Sequence, residues 1–129
     1  MRPILSQYDC LCSAILSIEG IRYCAVSDAS GNVLAGRQKA GVPPIETDSE
    51  REDSSFRVAM ISGIIQLMPH SFGRAKALSI DFERVRMLIF PLDQQNFLVA
   101  TLEPNASVEM TDRVERIITE SEDPKTTVG

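Results

Sequence analysis

The stretch GIRYCAVSDASGNVLA, residues 20–35, has the residue pattern of a strand, a tight turn and a second strand. Its first part, Ile21–Ser27, contains the β-branched and aromatic residues that suit a strand. The segment Asp28–Asn32 combines Asp, Ser, Gly and Asn, each of which favours a tight turn. Small apolar residues resume at Val33. The stretch therefore predicts a β-hairpin with its tip near Gly31.

Helical periodicity precedes and follows this hairpin. Upstream, apolar residues recur at spacings of three and four, which predicts a helix that ends at Gly20; they are Ile4, Leu5, Tyr8, Leu11, Cys12, Ile15 and Leu16. Pro104-Asn105 opens a last predicted helix with a narrow apolar stripe, formed by Val108, Thr111, Val114, Ile117 and Ile118. We expect one domain, residues 1–121, and a flexible tail, residues 122–129.

A middle helix is predicted from about Ser55 to Met68, after a solvated acidic loop at 41–53 whose end offers N-cap residues. Its apolar residues cover about three quarters of the circumference, far more than the face of an ordinary surface helix. One side carries Phe56, Ala59, Met60, Gly63, Ile64 and Leu67, and the other carries Val58, Ile61, Ile65 and Met68. The helix must be buried on more than one side. The sequence leaves open which side faces the sheet.

Three further strands are predicted between the middle and last helices. Leu78–Glu83 alternates apolar and polar residues, so one face is packed and the other is solvated. Val85–Leu92 and Phe97–Leu102 are nearly continuous apolar runs. Pro91 would remove a ladder hydrogen bond within a strand, so we expect it at a strand end. The resulting order, α-β-β-α-β-β-β-α, is that of an α/β protein of the α+β type.

Composition bounds the function. The chain has 129 residues and a net charge of −5, which disfavours nucleic acid and anionic membranes as partners. No apolar run is long enough for a membrane span, and the N-terminus lacks a signal-peptide pattern. Its three cysteines do not form a disulfide framework. We therefore expect reduced thiols and a cytoplasmic location.

The residues that carry chemistry are sparse. His70 is the single histidine, in a predicted connection beside Pro69. No nucleophile elbow, phosphate loop or dinucleotide-binding glycine pattern occurs. On a helix, Cys10 and Cys12 point about 200° apart and cannot chelate one ion together. The sequence predicts no catalytic residue, no cofactor site and no metal site, and therefore a protein that is not an enzyme.

The element order and the residue 20–35 stretch resemble the roadblock/LC7 family of small dimeric modules, related to the longin and profilin-like folds. The resemblance covers about residues 4–120. It implies a five-stranded antiparallel sheet with the first and last helices on one face and the middle helix on the other. It also implies no enzyme activity. Members of the family typically act as scaffolds or regulators of small GTPases and motor complexes.

The predicted function is thus a non-enzymatic protein-interaction module, a dimeric scaffold or regulator. Its partners are a second copy of itself and a further protein, with a small GTPase as the candidate. The predicted dimer interface comprises Val58, Ile61, Ile65, Met68, Ser79 and Asp81. The alternative is a small-ligand sensor domain of the PAS or GAF type, which has a similar sheet. A ligand that co-purifies with the chain would favour the sensor.

Overall fold

The computed structural model describes the backbone of residues 2–93 and 95–128, and the side chains of residues 7–93 and 95–121. These residues form three α-helices, five strands and one short 3-10 turn. Their bounds are α1 Arg2–Leu16, β1 Ile21–Asp28, β2 Val33–Gln38, α2 Asp48–Ile65, the 3-10 turn His70–Phe72, β3 Leu78–Asp81, β4 Arg86–Pro91, β5 Asn96–Leu102 and α3 Glu109–Val128. The predicted order α-β-β-α-β-β-β-α is confirmed.

The strands form one sheet in the order β2-β1-β5-β4-β3, and every neighbouring pair is antiparallel. The five-stranded antiparallel sheet expected from the resemblance is therefore present. β1 and β5 are central, while β2 and β3 form the two edges. Pro91 is the last residue of β4, as its missing N–H predicts.

The hairpin between β1 and β2 turns at the predicted place. The Asp28 carboxylate accepts hydrogen bonds from the backbone N–H groups of Asn32 and Ser30, at 3.0 and 2.9 Å. These bonds, that of Asn32 first, lower the pKa of Asp28 because they favour its charged form. Gly31 has a φ of +89°, a conformation that glycine adopts without steric cost.

α1 and α3 pack together on one face of the sheet, as expected. They contribute Leu11, Cys12, Ile15, Leu16, Met110, Val114 and Ile118 to the main core cluster. Val108 was predicted in the apolar stripe of the last helix, and this is wrong because Val108 is 79% exposed. The helix begins only at Glu109, whose N–H donates to the Ser107 hydroxyl at 3.1 Å, so Val108 precedes the helical periodicity.

α2 begins about two turns before the predicted Ser55. The N-cap is Thr47 rather than the 53–55 segment, and the expected acidic loop at 41–53 is a loop only as far as Thr47. Thr47 and Glu50 form a capping box, with the Glu50 N–H 3.1 Å from Thr47 Oγ1 and the Thr47 N–H 2.9 Å from Glu50 Oε1. Two N–H groups at the helix start are satisfied in this way, and the acidic first turn suits the helix dipole. α2 ends at Ile65, before the predicted Met68.

The predicted tail at 122–129 lies outside the residues whose side chains the structure describes. The backbone of α3 is helical to Val128. The flexibility of this segment stays a prediction.

Candidate functional site

α2 lies on the sheet face opposite α1 and α3. Its buried residues are the neighbours Val58 and Ala59 and, about one turn later, Ser62, which together form a single stripe. Val58 and Ala59 pack on a second, smaller core cluster with Ile89, Phe97 and Val99 of the sheet. This stripe answers the question that the sequence left open, because it shows which side of the helix faces inward.

The hairpin tip approaches α2 closely. A Cβ atom built on Gly31 would lie 2.8 Å from the Cα of Phe56, a distance that real Cβ contacts essentially never show. The residue 20–35 stretch therefore positions the middle helix as well as turning the chain. Glycine is required at this tip for both its φ and its size.

The outward side of α2 and the segment after it are strongly apolar and exposed. We name this the α2 apolar surface; it comprises Phe56, Met60, Ile61, Ile64, Leu67, Met68 and Phe72. Ile64 is 61% exposed and Leu67 is 84% exposed. Single exposed apolar residues are common on soluble proteins, but a contiguous group of this kind marks an interaction surface.

The helical residues of the predicted interface separate into two groups. Val58 is buried and Ile65 is half-buried. Ile61 and Met68 are exposed and belong to the α2 apolar surface. The prediction omitted the exposed Phe56, Met60 and Ile64, although they form the other apolar side recognised in the sequence.

Ser79 and Asp81 are exposed on β3, the edge strand. Ser79 lies opposite Leu88, a residue of the α1–α3 core cluster, so it shares that face of the sheet. Arg86 Nε donates to Asp81 Oδ1 at 2.7 Å. The residues of β3 on the α2 side are Leu78 and Ile80, which pack against the smaller cluster. Strict alternation in Leu78–Glu83 was the signal that could have identified them.

The outer side of β3 pairs with no other strand of the described chain. Its backbone N–H and C=O groups can therefore pair with a strand of another molecule. Leu78 and Ile80 of β3 pack against the same cluster that α2 covers, so α2 and these two side chains lie on the same face of the sheet.

The remaining chemically reactive residues do not assemble into a site. His70 is exposed in the 3-10 turn, Cys10 is exposed, and Cys12 and Cys24 are buried. Among the described residues there is no group of three or more His, Cys, Asp or Glu side chains that could hold a metal ion. The described helices also include none that is both long and apolar enough to cross a membrane.

The sequence matches no protein-family model, and no curated protein is detectably similar to it. Solved structures are similar in shape. The gliding protein MglB from Thermus thermophilus superposes with a TM-score of 0.72 at 17% identity, over 93% of this chain and 91% of that chain. A roadblock/LC7 domain from Streptomyces avermitilis superposes with a TM-score of 0.70 at 8% identity, over 92% of this chain and 97% of that chain.

The chain has a roadblock/LC7-like fold. MglC from Myxococcus xanthus is also similar, with a TM-score of 0.68 at 15% identity, over 92% of this chain and 98% of that chain. The roadblock/LC7-like architecture thus spans nearly the whole chain. The resemblance stated from the sequence is confirmed at the level of the fold.

Proposed function

We propose that this chain is a non-enzymatic protein-interaction module that forms a homodimer through the α2 apolar surface and the open edge of β3. The dimer acts as a scaffold or regulator of a further protein in the cytoplasm, with a small GTPase as the candidate class. The observation that carries the proposal is the exposed apolar side of α2, together with the unpaired outer edge of β3 in the sheet that α2 covers.

A two-fold axis beside β3 accounts for both features at once. It lets β3 pair with its symmetry mate, which removes the open edge. It also brings the two copies of α2 together, so that each apolar surface covers the other in a self-complementary contact. A different protein bound to the α2 apolar surface would cover that surface on one chain only, whereas a second copy of this chain covers two such surfaces with one contact.

The predicted interface residues take different roles in this dimer. Ile61 and Met68 lie in the contact, together with Met60 and Ile64. Val58 supports the helix from beneath because it is buried in the chain's own core. Ser79 and Asp81 belong to the edge strand β3 itself. Their backbone groups lie in the contact, while their polar side chains remain in solvent.

The small-GTPase role rests on the family resemblance and on the absence of catalytic signals in the sequence. Pairing two chains joins two copies of the fold and creates a composite surface that a single chain does not have. Proteins that act only by binding need such a surface and no nucleophile, base or metal.

Sedimentation equilibrium over about 1–100 µM tests the dimer. We expect a mass near twice the 14.2 kDa of one chain. A monomer at every concentration would contradict the proposal. The GTPase role is tested separately, by measuring binding of purified small GTPases from the same cell loaded with GDP or a non-hydrolysable GTP analogue. Failure of every GTPase to bind would exclude this partner class and leave the dimer standing.

A further inference from the structure

A cleft of about 230 Å³ opens between the first turns of α2 and the sheet. Its floor is a row of cross-strand neighbours that includes Tyr23, Thr101 and Met87. Ile45 and Phe82, both about half-exposed, form part of its apolar wall. We name it the α2 cleft. None of its lining residues belongs to the α2 apolar surface.

Arg51 forms the polar side of the cleft. Its guanidinium lies 4.0 Å from the centre of the Tyr23 ring, and its Nη2 donates to Gln38 Oε1 at 3.3 Å. Its Nε is buried and donates no hydrogen bond to any described residue, because Glu46 Oε1 lies 3.7 Å away. A buried donor left without an acceptor is costly, and this cost falls on the fold because the chain's own atoms enclose Arg51 Nε.

The charges within the cleft are already balanced. Glu46 lies beside Arg51, and Glu103 pairs with Arg22 at 2.8 Å. An anionic ligand would therefore meet a carboxylate beside each guanidinium. A neutral, apolar occupant avoids that repulsion.

The rim of the cleft, unlike its interior, has an excess of negative charge. Asp48 and Glu52 line an adjoining groove beside Arg51, together with Arg37. Glu50 and Asp53 extend the exposed acidic surface of the first turns of α2. Apart from Arg51, which lies beside Glu46, the charged residues that line this groove are two carboxylates and Arg37, so the rim favours a basic partner.

The size of the cleft selects the kind of occupant. A volume of about 230 Å³ lies below the usual range of small-molecule pockets, roughly 300–1,000 Å³. It is sufficient for a single bulky apolar side chain. Insertion of one such anchor into a pocket with a polar rim is a common way for proteins to bind each other.

We propose that the α2 cleft accepts one bulky apolar side chain from a basic segment of a protein partner. This inference deepens the proposed role as an interaction module by naming a partner chemistry. It is independent of the dimer, since the α2 cleft and the α2 apolar surface share no residue.

Two short peptides test the proposal: acetylated and amidated Ala-Lys-Lys-Phe-Lys-Lys-Ala, and the same peptide with Gly in place of Phe. Titration of the isotope-labelled chain is followed by NMR. We expect the Phe peptide to bind about ten- to a hundredfold more tightly, because it buries an aromatic side chain. The NMR chemical-shift changes should be largest at Arg51 and Phe82. Equal affinities, or shifts confined to the α2 apolar surface, would overturn the proposal.

Exposed residues provide variants that leave the core intact. Phe82→Ala should weaken the Phe peptide at least threefold, as a rough estimate from the lost apolar contact, while Phe72→Ala outside the cleft should not. Glu52→Lys should weaken both peptides about fivefold, whereas Glu120→Lys on α3 should leave them unchanged. Equal effects within either pair would contradict the assignment. Sedimentation of the same samples separates the two proposals. A chain that dimerises but binds both peptides equally well refutes the proposed α2 cleft ligand and leaves the dimer standing.

Discussion

Replacing Ile64 by Glu should convert the dimer into a folded monomer. Ile64 is 61% exposed in the single chain, so most of its side chain is free to be buried by a partner. Full burial of such a side chain contributes about 1.5–3 kcal/mol, and the exposed share corresponds to roughly 1–2 kcal/mol per copy. Two-fold symmetry places two copies in the interface. The dimer should lose about 2–4 kcal/mol, a roughly thirty- to thousandfold increase in Kd.

The assay is sedimentation equilibrium of wild type and variant, combined with circular dichroism to verify that both are folded. Val108→Glu is the matched control, because Val108 is also a β-branched aliphatic side chain, 79% exposed just before α3 and outside the α2 apolar surface. The control should keep the wild-type dimer Kd. An Ile64→Glu protein that dimerises as tightly as the control would refute the reasoning about this surface.

Two predictions concern the hairpin that positions α2. Gly31→Val should lower the free energy of unfolding by at least about 1–3 kcal/mol, since it strains a positive φ and forces the tip away from Phe56; a denaturant midpoint equal to that of wild type would count against this. Asp28→Asn should destabilise the chain at neutral pH, because the folded-state pKa of Asp28 is lowered. That pKa shift stabilises the fold above the ordinary value of 3.8 and is lost as pH falls through the lower folded pKa, so wild type and variant should converge in acid. A difference in melting temperature that is constant with pH would show that this carboxylate acts by another route.

The sheet could be predicted because its signals are local and mutually consistent. The hairpin tip at Gly31 and the strand end at Pro91 each follow from a backbone preference of one residue type. The alternation at Leu78–Glu83 reports a strand with one packed face. Such signals act within a few residues and do not depend on what the rest of the chain does.

The start of α2 was missed because two kinds of signal compete there. Five acidic residues in 41–53 together with Pro43 and Pro44 are typical of a solvated loop. The capping pair Thr47 and Glu50 lies within the same segment, three residues apart, and it determines the structure. A capping box normally precedes an apolar run. Here the run begins only after Asp53, because the first turns of α2 cover the polar cleft rather than the core.

The orientation of α2 could not be predicted, because it depends on small residues whose side chains carry little hydrophobic signal. Ala59 and Ser62 are buried while Met60 and Ile64 are exposed. Ranking residues by hydrophobicity would place these four in the opposite order. The small side chains of Ala59 and Ser62 permit α2 to lie close to the sheet, just as the missing side chain of Gly31 permits the hairpin tip to lie close to α2. Close packing therefore overrides hydrophobicity at this contact.

This inversion is itself an argument for a partner. If α2 packed only against its own chain, the most stabilising arrangement would direct Met60 and Ile64 inward. Burial of each of these side chains stabilises the fold by about 1.5–3 kcal/mol. α2 instead contacts its own sheet through Val58, Ala59 and Ser62 and leaves its largest apolar side chains in solvent. In the lone chain this arrangement gains close helix–sheet packing but leaves the burial free energy of Met60 and Ile64 unused. It becomes favourable when a second molecule covers the outer side, so the distribution of residue sizes around α2 favours association independently of the fold comparison.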